Sequence, residues 1–362
     1  MTKILFTSDL HLTDRFRDEY RWEIFRKLHE VGKDRNVDAV ALLGDITDAK
    51  EGHGARLVDR MSREIDRLAQ SFEVYILKGN HDYTDESKPF FGFLDLLNNV
   101  TFQVEPGIVS VAGVPCLGLP HAHHGQVHGS KGQSDNQVTG DKVTKLLKAG
   151  GYEMVFMHQT LVGSTLGNGT KSQHGLQLDS KITKDKRLND WCYYRDLDVP
   201  LLAGDVHVPQ EVGPLTYCGA PYPVAFGDSW QPRLLLWDDG KLSSIPITSI
   251  KKHSLKMVGA EACGSLSQDV MKGDQVKVTV YLNRLEIHLW PRLRDQLFRL
   301  ANEREATIES LSVECVDSAL IPGTRSDSSP LTAKPDEVLK QYCDDNSLDP
   351  QLVEYAERIL NN

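Results

Sequence analysis

Five short clusters of carboxylate, imidazole and amide side chains, each set directly behind an apolar run, constrain this chain more than any other feature. They are Asp9-x-His11, Gly44-Asp45, Gly79-Asn80-His81-Asp82, His158 and Gly204-Asp205-Val206-His207. The runs before them read Ile-Leu-Phe-Thr-Ser, Val-Ala-Leu-Leu, Val-Tyr-Ile-Leu-Lys, Met-Val-Phe-Met and Pro-Leu-Leu-Ala. Such runs are expected to be buried strands. In open α/β sheets the ligand crevice lies at the carboxyl ends of the strands. Any one of these residues has a bland reading: Asp9, Asp45 or Asp205 as a cap or turn acid, Asn80 as a left-handed turn residue, His158 as a satisfied core histidine. Five strand ends in sequence order outweigh those separate readings.

The rest of the chain fits around this frame. Ile24, Phe25, Leu28 and Val31, and then Leu57, Val58, Met61, Ile65, Leu68 and Ala69, fall at helical spacing between the first three strands, implying parallel crossovers. Further strands are expected at Val109–Ala112, Val114–Leu119, Met154–Met157, Leu201–Ala203, Thr216–Cys218 and Leu234–Trp237. Gly163 to Gly175 reads as a long Gly/Ser/Thr loop. The run His121-Ala-His123-His124, with His128 nearby, lacks a carboxylate or thiol and reads as an exposed polar loop near the cleft.

Near residue 250 the pattern changes. Val276, Val278 and Val280 alternate as in a strand, Leu293, Leu297, Leu300 and Ala301 form a helix stripe, and Leu311, Val313 and Cys315 alternate again. That is a small β-α-β unit. A polar stretch from Pro322 to Pro330 reads as a linker, and two short amphipathic helices follow, with Pro335 and Pro350 at first-turn positions. Residues 331–362 carry three basic and seven acidic side chains, so this hairpin is suited to a protein partner rather than to phosphate. The expected domains are therefore 1–250, 251–321 and 322–362.

With 41 basic against 51 acidic residues, the net charge of −10 lacks the basic excess of a protein that grips nucleic acid unaided. The longest apolar run is Ala39 to Leu43, far short of the roughly 18 residues of a membrane span. The opening Met1-Thr-Lys-Ile-Leu-Phe-Thr-Ser-Asp is not patterned as a secretory signal. Six cysteines lie at least 26 residues apart, with no Cys-x-x-Cys pair, as expected of buried reduced thiols. A soluble cytosolic protein with no membrane attachment is the expectation.

Mixed carboxylate, imidazole and amide-oxygen donors suit Mn²⁺, Fe²⁺ or Zn²⁺, and they are numerous enough for two ions if one carboxylate bridges. Two such ions roughly 3.5–4 Å apart clamp the attacking and leaving oxygens of an in-line phosphoryl displacement and acidify a shared water. A histidine beside a ligand is the usual proton donor to the leaving oxygen.

The set Asp-x-His, Gly-Asp, Gly-Asn-His-Asp, His and Gly-x-x-His resembles the calcineurin-like binuclear metallophosphoesterase superfamily over residues 1–247. Within it, Ser8-Asp-Leu-His-Leu12, His207-Val-Pro-Gln210, Tyr217-Cys-Gly-Ala-Pro221 and Phe226-Gly-Asp228 resemble SbcD-type DNA repair nucleases. The resemblance implies a four-layer α/β/β/α sandwich, with the small β-α-β unit as a DNA-contacting cap and the helical tail binding an SbcC-type ATPase. It also implies a homodimer and two divalent cations, Mn²⁺ foremost and Mg²⁺ next. Asp9, His11 and His207 would hold the first ion, Asp45 would bridge, and Asn80, His158 and Asp205 would hold the second. His81 would protonate the leaving oxygen, with Asp48 orienting it. Asp205 stands where the family has histidine, which implies an altered metal preference. Such departures, with the modest size, would suit a bacterial or phage variant. The activity implied is a metal-dependent DNA exo/endonuclease. The other readings are a small-molecule phosphodiesterase or protein phosphatase of the same superfamily, or a non-catalytic binding subunit.

Overall fold

The computed structural model describes residues 2–50, 52–85, 88–121, 143, 145–167, 169–173 and 197–316. The chain divides after Ser249 into two compact units. In the first unit the strands are β1 (Lys3–Thr7), β2 (Ala39–Leu43), β3 (Glu73–Leu77), the short pair β4 (Tyr83–Asp85) and β5 (Lys88–Pro89), β6 (Val100–Gln103) and β7 (Gly107–Val111). They continue with β8 (Val114–Leu119), β9 (Met154–His158), β10 (Leu201–Gly204), β11 (Gln210–Val212), β12 (Leu215–Tyr217), β13 (Arg233–Asp238) and β14 (Lys241–Pro246). Helices α1 (Glu23–Arg35) and α2 (Ala55–Ala69) link β1 to β2 and β2 to β3.

These strands build two six-stranded mixed sheets, ordered β14-β13-β1-β2-β3-β6 and β11-β12-β10-β9-β8-β7. The central strands β1, β2 and β3 are parallel, as are β8, β9 and β10. Their sequences are apolar on both faces because both faces are covered. Ile4, Phe6, Ala41, Tyr75 and Leu77 meet Cys116, Met154, Phe156 and Leu202 between the sheets. The small Ala39 and Ala41 lie beside a tight aromatic group in which Phe156 contacts Phe6 and Tyr75 at centroid distances of 5.5 and 5.4 Å. The alternate residues Leu5, Val40, Leu42, Val74 and Ile76 pack against Ile24, Phe25, Leu28, Met61 and Ile65 of the two helices. On the far side, Val155, Met157, Leu201 and Tyr217 pack with Leu147, in the helical stretch 145–149. The order is helix, sheet, sheet, helix, as expected.

The second unit holds β15 (Lys252–Val258), β16 (Gln275–Leu282), helix α3 (Trp290–Glu303) and β17 (Thr307–Cys315). All three strands run parallel in the order β15-β16-β17. Val276, Val278, Val280 and Leu282 share a core with Leu293, Leu297 and Ala301. The β-α-β unit read from sequence is thus the second half of a three-stranded sheet, with β15 the strand that alternation with Lys and His conceals. The linker and helical tail lie outside the described residues. Cys116, Cys218 and Cys263 are buried free thiols, whereas Cys315, at the end of β17, is exposed against expectation. Among the described residues no helix is long and apolar enough to cross a membrane.

Candidate metal centre

The five clusters leave the carboxyl ends of strands in both sheets: β1, β2 and β3 from the first, β9 and β10 from the second. The loops after β1 and β2 are joined by main-chain hydrogen bonds from Asp9 N to Gly44 O (3.0 Å), His11 N to Asp45 O (3.0 Å) and Leu12 N to Ile46 O (2.9 Å). The loop after β3 is tied to the same place by Asp82. Its wholly buried carboxylate accepts from the backbone N–H of Asp45 (2.9 Å), Ile46 (3.0 Å) and Gly79 (2.7 Å). The strand-to-loop turn is sharp enough to place Asp9, His11, Asp45 and Asp205 at φ of 57°, 43°, 55° and 80°. Left-handed backbone at non-glycine residues costs free energy and gathers at functional sites.

The resulting geometry brings the expected donors together. Asp9, His11 and His207 form one group, His11, Asp45 and His81 a second, and Asp9, Asp45 and His158 a third; within each, one donor atom per residue lies within 4.8 Å of the others. Asp9, His11 and Asp45 each belong to two groups, and of these the two carboxylates, with two oxygens apiece, are the ones placed to be shared. The Nε2 atoms of His11 and His207 face one another at 3.0 Å. His158 Nδ1–H donates to Leu43 O at 2.7 Å, which turns Nε2 to Asp45 Oδ1 at 3.3 Å. The Asn80 amide oxygen lies 3.1 Å from His158 Nε2. The same amide faces both Asp45 carboxylate oxygens, at 2.9 and 2.8 Å, to which its nitrogen donates when the amide is turned over, so either end of Asn80 can be presented to the cluster.

Two imidazole nitrogens meeting at 3.0 Å beside buried carboxylates and a carboxamide are a donor set that would surround a cation. The electrostatics agree. Asp9 and His158 are fully buried, and His11 and Asp45 nearly so. Burial alone would lower the pKa of His158, yet Asp45, Asp9 and Asp205 raise it well above 6.5. Burial likewise opposes protonation of His11, but Asp48, Asp45 and Asp9 outweigh it and raise the pKa. Asp45 is driven well below the usual carboxylate range, its own burial being overcome by His158, His11 and His81. In the metal-free chain, protons therefore balance charge where divalent cations fit, and metal uptake must release them. The donor set fits two such ions.

Several residues depart from expectation. The Asp48 carboxylate does not orient His81. It faces His11 Nδ1 at 3.5 Å and Arg15 Nη1 at 4.0 Å, because the turn after β2 directs its side chain toward the β1 loop. It is the Asp48 backbone carbonyl that accepts from His81 Nδ1, at 2.7 Å, leaving His81 Nε2 directed toward Asp45 (3.9 Å). Burial holds His81 below its ordinary pKa. Asp205 stands at the margin: Thr160 Oγ1–H donates to its Oδ2 at 2.5 Å, its Oδ1 is 3.9 Å from His158 Nε2, and its own N–H donates to Asp9 Oδ1 at 3.0 Å. Sequence alone assigns no role to Ser8, whose Oγ–H donates to Asp9 Oδ2 at 2.5 Å, nor to Asp82 or Thr160. Asp82 sits within a quoted motif and Thr160 two residues after His158, which is the only signal either carries. Of the histidine run, His121 alone is described; its Nδ1 bonds the Tyr83 hydroxyl at 2.9 Å. The Gly/Ser/Thr loop begins as a small hairpin, with Thr165 bridged to Lys171 and held by both amide atoms of Gln210 at 2.8 Å.

No curated protein sequence matches the chain at a significant level. Similar solved structures include an archaeal phosphodiesterase (16% identity, TM-score 0.36, covering 68% of this chain and 100% of that one). Others are the phosphoesterase Yfce from E. coli (12%, 0.31, 69% and 98%) and a dimetal phosphatase from Danio rerio (12%, 0.38, 68% and 99%). The family described as calcineurin-like phosphoesterase matches residues 2–209, which include every cluster that converges on this centre, and the chain belongs to that family.

Proposed function

We propose that this phosphoester hydrolase is a metal-dependent DNA nuclease of SbcD type, cleaving phosphodiester bonds with two divalent cations, Mn²⁺ foremost. The observation that carries hydrolysis is the convergence of Asp9, His11, Asp45, Asn80, His158 and His207 from two sheets on one buried cluster. The reading as a nuclease is supported by the motifs around Ser8–Leu12, His207–Gln210 and Tyr217–Pro221, and by a second unit beyond residue 249 that a small-ester hydrolase does not need. Work on DNA by so acidic a chain is accounted for if an SbcC-type ATPase and a homodimeric arrangement supply much of the affinity.

When bound, the cations would supply Lewis acidity and an acidified water. Asp9, His11 and His207 would hold one, Asn80, His158 and Asp205 the other, with Asp45 between them. His158 cannot swing away, because its Nδ1–H is committed to Leu43 O. His81 is steered in the same manner by Asp48 O, so Nε2 is the atom that carries a proton to the departing oxygen. Its lowered pKa makes the imidazolium the minor form near neutral pH, and a ready donor once Nε2 has taken up a proton. Asp205, tied to Thr160, replaces a nitrogen donor by a hard oxygen and favours Mn²⁺ or Mg²⁺ over softer ions.

The test is Mn²⁺-dependent digestion of end-labelled linear duplex DNA beside a small chromogenic phosphodiester, with His81→Ala as control. DNA shortening that is lost in the variant supports the reading. Cleavage of the small ester alone refutes an autonomous nuclease, and full activity of His81→Ala refutes the role of His81.

A further inference from the structure

The loop that delivers Asp9 and His11 continues into a second built feature. Phe16, at its tip, is 94% exposed, the most exposed of the large apolar side chains described. The segment on either side is the opposite. Thr13, Asp18, Arg21 and Trp22 are all buried, and they are joined to one another. Thr13 Oγ1–H donates to Asp18 Oδ2 at 2.9 Å and Trp22 Nε1–H to Thr13 O at 2.9 Å. Asp18 N–H closes the turn on Arg15 O at 2.9 Å, and Arg15 N–H donates to Thr13 Oγ1 at 3.2 Å. Arg21 pairs with Asp18 at 3.3 Å and donates to His11 O. A buried polar frame thus fixes a four-residue tip, Asp14-Arg15-Phe16-Arg17, whose side chains are all exposed.

The tip lies beside the centre. Arg15 Nη1 is 4.0 Å from one Asp48 carboxylate oxygen, and the other faces His11 Nδ1 at 3.5 Å. In a chain of net charge −10, Phe16 stands between two arginines in sequence, and the guanidinium of Arg15 lies beside the metal donors. A surface for another protein would extend the apolar contact, but the neighbours of Phe16 are charged. An exposed aromatic ring next to a cationic group is the arrangement that takes a base on its face and an adjoining phosphate at its side.

Resting on the reading of the centre as a phosphodiester hydrolase, we propose that the tip around Phe16 binds an unpaired stretch of polynucleotide, Phe16 stacking on a base and Arg15, on the side of the centre, taking an adjoining phosphate. The strand is unpaired because a base inside a duplex has both faces already covered by its neighbours. The tip would then hold a strand end or a frayed segment while the adjacent phosphate lies at the cations.

The experiment is a two-by-two cycle on the full chain with Mn²⁺: wild type and Phe16→Ala, each against a fluorescein-labelled single-stranded oligonucleotide and the same oligonucleotide with abasic sugars replacing its bases. Binding is read by anisotropy, which does not require cleavage, and a small phosphodiester is assayed in parallel. The wild type should bind the base-bearing strand about 5- to 150-fold more tightly than the abasic one, the range of one stacked base. Phe16→Ala should abolish that preference and Phe16→Trp restore it. A base preference that survives in Phe16→Ala overturns the proposal. So does a change of oligomeric state in that variant on gel filtration, which would make Phe16 an interface between copies of the chain. If the cycle behaves as expected but neither DNA nor the small ester is cleaved, the hydrolase reading fails and the tip stands. If the small ester is cleaved and the cycle is flat, the tip fails and the hydrolase reading stands.

Discussion

The Arg21–Asp18 pair behind the His11 loop offers a quantitative test, because both side chains are almost fully buried and are ion-paired to one another. Arg21 Nη2 lies 3.3 Å from Asp18 Oδ1, with side-chain exposures of 5% and 3%. Arg21 also donates to His11 O and, at 3.5 Å, to Val224 O. Arg21→Met keeps the aliphatic volume but leaves Asp18 as an uncompensated buried charge, a change that costs about 3–5 kcal/mol. For a unit of this size that corresponds to a fall in Tm of about 6–20 °C. Removing both charges should cost far less, since a buried pair replaced by neutral groups is often close to neutral. The double variant Asp18→Asn/Arg21→Met should therefore fall short of the sum of the single changes by about 0.5–3 kcal/mol. Urea unfolding of the four proteins, followed by a probe within residues 1–249, measures the cycle. An additive cycle, or an Arg21→Met protein within about 1 kcal/mol of wild type, would show that the pair does not hold this loop.

Three further outcomes follow from the same geometry. In Gly79→Ala the new Cβ would collide with the backbone nitrogen and Oδ1 of Asp45, so the protein should fold but lose one Mn²⁺ equivalent by calorimetry; two tight equivalents would contradict this. Mn²⁺ at a hundredfold excess over Kd should stabilise the chain by about 2.7 kcal/mol, and chelation should reverse the shift; a Tm indifferent to both would mean that these donors hold no metal. The His11 ring holds the Asp48 carboxyl down at about 2, against an ordinary 3.8. Its contribution in the metal-free protein is therefore complete above about pH 4 and fades as pH falls toward 2, the direction for a depressed acid. The gap in urea midpoint between wild type and Asp48→Asn should narrow over that window, and a gap that widens there would contradict the assignment.

The sandwich was legible where strands are buried on both faces. β1, β2, β3, β9 and β10 announce themselves as short unbroken apolar runs, and the ligands behind them are marked by position. Edge strands were not. β14 is exposed at Lys241, Ser243, Ser244 and Pro246, so it has no apolar face to display, and β15 mixes Lys and His into its alternation. That β1–β3 and β9–β10 belong to different sheets is invisible in local pattern, since the carboxyl end of a strand looks the same in either. Asp48 illustrates a subtler limit: the family resemblance puts it beside His81, but whether the carboxylate or the carbonyl does the orienting depends on a backbone turn. The left-handed Asp9, His11, Asp45 and Asp205 leave little trace in composition either: of the glycines at these strand ends, Gly44 (φ 91°) shares the turn of Asp45, Gly204 only precedes Asp205, and Gly79 belongs to the loop after β3, where none of the four lies.

Those three glycines have a wider consequence. A Cβ on Gly44 would strike the His158 ring, one on Gly79 would strike Asp45, and one on Gly204 would strike Leu43 O and His158. Backbone without a Cβ thus presses directly on His158 and Asp45, two of the side chains that would hold the cations, and leaves them little room to turn. The spacing of these donors is then set by sheet geometry and kept by every variant that keeps the strands in place, while the side chains at the rim remain open to change for the sake of the substrate.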